Sequence, residues 1–202
     1  MRYARVLAPV LAAFLALPAQ AEKLSLNAIS AYLNGLKTAE ADFRQTNADG
    51  SVSTGRVLIQ RPGRMRFEYA PPEQTLVLAA AGQVAIFDGK SNQPPEQYPL
   101  SKTPLNLILA KTVDLSRAKM VVGHSEVGGM TVVTAQDPAH PELGTIALSF
   151  SAGPVALRQW TVTDEGGGQT TVVLGPLATG KSYSTDTFSI NAEAGKHKRP
   201  DK

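Results

Sequence analysis

Arg64-Met65-Arg66-Phe67-Glu68-Tyr69 changes from charged to apolar at every step. A strand through it therefore turns Met65, Phe67 and Tyr69 to one face and Arg64, Arg66 and Glu68 to the other. Working outward, the same period of two marks strands near Ala41–Thr46, Thr54–Gln60, Gln74–Ala79 and Gln83–Asp88. It continues near Ala118–Ser125, Met130–Gln136, Thr145–Ser151, Ala156–Thr163 and Thr170–Leu174. Turn residues separate them, among them Asn47-Ala48-Asp49-Gly50, Arg61-Pro62-Gly63, Pro71-Pro72, Gly128-Gly129 and Gly166-Gly167-Gly168. Strands at intervals of about 8–12 residues with tight turns predict a mainly β antiparallel meander, curled into a large sheet or barrel. No βαβ alternation is present, which argues against a parallel sheet.

Two segments break the strand period. Leu26, Ile29, Leu33 and Leu36 recur at spacings of three and four, so Leu24–Leu36 reads as an amphipathic helix with Ser25 as its N-cap. Between Ser101 and Arg117, Thr103–Ala110 and Val113–Ser116 read as one or two short helices. A helix of about 13 residues is only about 20 Å long, whereas ten strands at about 4.8 Å spacing make a sheet roughly 45 Å across. The sheet must curl around its helices to cover one oily face. Its interior is then either a packed core or a lined cavity.

The ends of the chain account for its overall charge. Of 202 residues, 20 are basic and 17 acidic, for a net charge of +3. Arg2 and Arg5 precede the apolar run Val6–Leu17 and the small-residue site Pro18-Ala19-Gln20-Ala21, the pattern of a secretory signal peptide over 1–21. That run is shorter than the roughly 20 residues a spanning helix needs. The tail 195–202 is rich in Lys and Arg and reads as a disordered basic end. The body between, 22–194, is slightly acidic and reads as one domain, which leaves no basic surface for nucleic acid.

Several chemistries are excluded by residue type. With no cysteine there is no disulfide, thiolate zinc site, cysteine nucleophile or lipid anchor on an N-terminal Cys. His124, His140 and His197 show no metal-ligand spacing, and neither a G-x-S-x-G elbow nor a phosphate-binding glycine loop occurs. The carboxylates are scattered. The reading is a protein without enzymatic activity, metal or cofactor.

Ala41-Asp42-Phe43-Arg44-Gln45-Thr46, then Gly55–Tyr69 with Arg61-Pro62-Gly63 at its centre, then Pro71-Pro72, resembles the start of the periplasmic outer-membrane lipoprotein carrier family, the LolA type. Ala81–Asp88 is similar to the family's next strand pair, Pro104–Leu109 to its short internal helix, and Thr187-Phe188-Ser189-Ile190 to its closing strand. The resemblance implies an incomplete, unclosed antiparallel β-barrel of about eleven strands, with helices as a lid over a hydrophobic cavity. It implies that Arg61 hydrogen-bonds to the lid and gates it. It also implies acyl-chain contacts from Leu33, Phe43, Met65, Phe67, Tyr69, Ile86, Leu105 and Ile108. The expected cargo is the acyl chains of outer-membrane lipoproteins. The expected partners are an inner-membrane lipoprotein-releasing ABC transporter and an outer-membrane receptor of the LolB type, with the carrier a periplasmic monomer. A lipid-binding sensor or regulator of the same fold is the alternative.

Overall fold

The computed structural model describes residues 23–197 other than 92 and 104. The expected signal peptide, Pro104 and the end of the basic tail lie outside the described residues. Twelve strands form one antiparallel sheet: β1 Thr38–Thr46, β2 Val52–Gln60, β3 Arg64–Tyr69, β4 Leu76–Ala80, β5 Gln83–Phe87, β6 Glu96–Pro99, β7 Val121–Val127, β8 Met130–Gln136, β9 Thr145–Ala152, β10 Val155–Thr163, β11 Gln169–Leu174 and β12 Ala178–Thr179. Their order is β6-β5-β4-β3-β2-β1-β11-β10-β9-β8-β7, with the two-residue β12 paired separately to β1. Two meanders are thus joined side by side through β1 and β11, where Phe43 stands opposite Leu174. β6 and β7 remain as unpaired edges, so the barrel is not closed. The chain between those edges carries helix α2, Leu105–Leu109.

Helix α1, Leu26–Gly35, starts where Ser25 Oγ accepts the Ala28 N–H at 3.1 Å, as its N-cap role predicts. It lays Ile29 and Leu33, both fully buried, into the concave face of the sheet. There they join Phe43, Val57, Ile59, Met65, Phe67, Leu148, Phe150, Leu157, Trp160 and the α2 residues Leu107, Ile108 and Leu109 in one core. Gly55 makes room for part of it, because a Cβ there would lie 2.2 Å from the Glu68 carbonyl and 2.8 Å from the Phe43 ring.

Four expectations are corrected. The sheet has two oily faces, since Leu58, Leu76, Leu78, Ala80, Ala85 and Phe87 form a second cluster on the convex side. It is covered by a C-terminal strap that ends in helix α3, Ile190–His197. The expected closing strand at Thr187–Ile190 is therefore a 3-10 turn, Thr185–Phe188, leading into α3, because Phe188 inserts into that cluster at 3% exposure. Gly195–His197, expected to be a disordered tail, belong to α3, whose Lys196 pairs with Glu193 at 3.2 Å. Val113–Ser116 is not helical; Val113 and Leu115 are buried anchors of an irregular segment whose backbone is bonded by α1 side chains.

Candidate functional site

The inner face is built around aromatic rings meeting edge to face. Phe43 stands 5.5 Å from Phe67 and 5.1 Å from Tyr69, and Phe67 stands 5.9 Å from Trp160. Tyr32 of α1 meets Phe150 at 6.1 Å. Tyr69 keeps its hydroxyl satisfied by donating to Gln45 Oε1 at 2.7 Å, and burial raises its pKa above the ordinary value.

The residues expected to contact acyl chains separate into two groups. Leu33, Phe43, Met65, Phe67 and Ile108 are buried in the concave core, with half-buried Tyr69 and Leu105 packed against it. Ile86 stands opposite Val77 in the register and is half-buried, but lies outside that core. The wide cavity implied by the resemblance is filled by α1 and α2. Among the cavities left in the described residues, one of about 290 Å³ lies at one mouth, between Leu107, Met120, Ala135, Ile146 and Val162. That is at the lower limit of small-ligand sites, about 300–1,000 Å³.

The fastenings of α2 and the segment after it are few and specific. Arg61 directly follows β2 and donates from Nη2 to the Ala110 carbonyl at 2.6 Å. Its own N–H is held by the Lys37 carbonyl at 2.8 Å. In the same turn the Gly63 N–H donates to the Leu109 carbonyl at 2.9 Å, with Gly63 at φ +73°, a conformation that suits a residue without Cβ. On the α1 side, Asn34 Nδ2 donates to the Val113 carbonyl at 2.8 Å while its Oδ1 accepts the Val113 N–H at 2.9 Å. Ser30 Oγ accepts the Leu115 N–H at 3.0 Å. Helix α2 and the segment after it are thus tied to the barrel turn on one side and to α1 on the other. Of these, Arg61 was predicted; Asn34, Ser30 and the Ala110 carbonyl were not, since pairing to backbone leaves no residue-type signature.

Arg61 is only 8% exposed, and its Nε is buried with no hydrogen-bond partner. Burial alone pulls its pKa down from the ordinary value. No group of three or more His, Asp or Glu that could hold a metal occurs among the described residues. No helix among them is long and apolar enough to cross a membrane.

Residues 34–191 match the family model described as "Outer membrane lipoprotein carrier protein LolA". The chain belongs to this family. It is similar to the outer-membrane lipoprotein carrier protein of Azotobacter vinelandii, 28% identical over 96% of this chain and 97% of that one. The carrier of Xanthomonas oryzae is 26% identical, over 96% and 94%. Among solved structures, a LolA superfamily protein from Nitrosomonas europaea aligns over 82% of this chain and 98% of that chain, with 9% identity and a TM-score of 0.43. Membership of the LolA family rests on the match along the sequence, and the unclosed sheet with its N-terminal helix and short helices agrees with the architecture that the resemblance implied.

Proposed function

We propose that this protein is a lipoprotein carrier whose closed lid, α2, occupies the space that acyl chains take when cargo is bound. One observation carries the reading: a barrel interior filled by a short helix that is tied to the wall by the Arg61–Ala110 latch and its neighbours. The names of its relatives support it.

The energetics suit a shuttle. Each buried CH₂ contributes about 0.8 kcal/mol, so an acyl chain of roughly 15 carbons needs about 12 kcal/mol of apolar burial to cross water. Moving Leu107, Ile108 and Leu109 out of the core costs on the order of 5–9 kcal/mol at about 1.5–3 kcal/mol per side chain. Cargo burial exceeds that cost, and the cost weakens net binding enough for a tighter acceptor to remove the cargo. In this reading the chain is exported through the 1–21 segment, works in the periplasm, receives cargo from an inner-membrane ABC transporter and gives it to an outer-membrane receptor.

Native mass spectrometry of the purified protein with a triacylated lipopeptide tests the binding step. A 1:1 complex is expected; no complex, or covalent turnover of the peptide, would overturn the reading. Depletion in cells should strand lipoproteins at the inner membrane.

A further inference from the structure

Arg61 is a buried cation without a counter-ion. Among the described residues no carboxylate lies in ion-pair reach of it, one guanidinium nitrogen meets a carbonyl, and Nε meets nothing. A charge buried this way is costly unless an anion or a hydrogen-bond acceptor completes its shell. A latch alone could be made by a neutral donor.

The surroundings supply a path for such an anion. The turn Pro62-Gly63 and the latch partner Ala110 line an open groove of about 790 Å³ on the barrel wall. Arg64 and Lys111 also line it, and no Asp or Glu does. Neither Arg64 nor Lys111 is ion-paired to a described carboxylate. Ala110, which lines the groove, accepts directly from the buried guanidinium, and the neighbouring α2 residues Leu107, Ile108 and Leu109 belong to the apolar core.

We propose that the groove and Arg61 together form a site for the anionic headgroup, phosphate or carboxylate, of a single-chain lipid. The headgroup replaces the Ala110 carbonyl on Arg61 as the acyl chain enters beside the displaced α2. Arg64 and Lys111 attract the headgroup, and the guanidinium fork then holds two of its oxygens. The triacylated terminus of a lipoprotein carries no such charge, so this is a second ligand class. The inference rests on the carrier reading only in using the same lid.

The test is calorimetric titration of the protein with dodecyl phosphate, laurate, monolauroylglycerol and inorganic phosphate, each below its aggregation concentration, beside a neutral triacylated lipopeptide. Dodecyl phosphate and laurate should bind at least about tenfold tighter than monolauroylglycerol. Arg61→Leu should abolish that preference, Arg61→Lys should keep part of it, and Arg64→Ala with Lys111→Ala, at one half-buried and one exposed position, should reduce it. Equal affinity for charged and neutral lipids would overturn the inference. So would inorganic phosphate binding as tightly as dodecyl phosphate, which would mark a free-anion site. Lipopeptide binding without an anionic preference would defeat this inference and leave the carrier reading standing, whereas loss of lipopeptide binding alone would defeat the carrier.

Discussion

Asn34 of α1 and Val113 of the segment after α2 are joined reciprocally, with the side-chain amide donating to the Val113 carbonyl at 2.8 Å and its oxygen accepting the Val113 N–H at 2.9 Å. Val113 is 5% exposed, so water does not readily replace the amide. This pair fixes the trailing end of the lid to the helix that fills the barrel.

Asn34→Ala should therefore release the lid without unfolding the sheet. Leaving a buried N–H and C=O unpaired costs about 1–3 kcal/mol each. Hydrogen exchange at Val113 and Leu115 should accelerate at least about tenfold, with the amides of β9 and β10 unchanged. Uniform acceleration through all strands would mean that Asn34 supports the whole fold and not the lid.

The convex strap depends on Phe188, which meets Tyr183 edge to face at 5.6 Å and fills the second cluster. Phe188→Ala should cost about 3 kcal/mol and free residues 183–197, read as new protease cleavage there before any in the barrel. Unchanged stability and cleavage would show that the strap is held from elsewhere.

Acid should loosen the same strap. Burial raises the Glu193 carboxyl, but hydrogen bonds from Arg66 at 3.0 Å and Lys196 at 3.2 Å outweigh it and leave the pKa below its ordinary 4.5. A carboxylate with a depressed folded-state pKa contributes stability above its unfolded value and loses it as pH falls through the folded value. Exchange at α3 amides should rise below about pH 4.5, and Glu193→Gln should flatten that rise. A strap equally protected at pH 3 and 7 would contradict the ion pair's role.

Gly55→Ala probes how tightly the aromatic cluster is built. Its Cβ would meet the Glu68 carbonyl at 2.2 Å. Overpacking of this kind costs typically about 1–3 kcal/mol, and a backbone obstacle places it at the upper end. Thermal unfolding should fall accordingly; an unshifted midpoint would mean that β2 and β3 move apart freely.

The periodicity made ten of the strands, their antiparallel pairing and α1 with its Ser25 cap legible, because each is a local pattern; the short β6 and β12 and the joining of β1 to β11 leave no such pattern. The convex core was hidden by attention to one face, although Val57-Leu58-Ile59 and Leu76-Val77-Leu78-Ala79-Ala80 are continuous apolar runs, which mark burial on both faces. Trp160 was not foreseen on the inner face. Leu157 and Trp160 are three apart, and only the register shift between Leu157 and Gln159 lets both point inward. Of the site, Arg61 was reached by resemblance to a motif. Its partner is a backbone carbonyl brought close by the fold across 49 positions, which no residue type announces.

The central claim is that cargo displaces α2 from the barrel. The natural sequence has no cysteine, so spin labels at Lys111→Cys, at the end of the lid, and Arg44→Cys, exposed on β1, report one distance with no background. Pulsed electron resonance with and without saturating triacylated lipopeptide should show one distance when empty and a second, shifted population when loaded. A bound lipopeptide with an unchanged distance distribution would contradict the account.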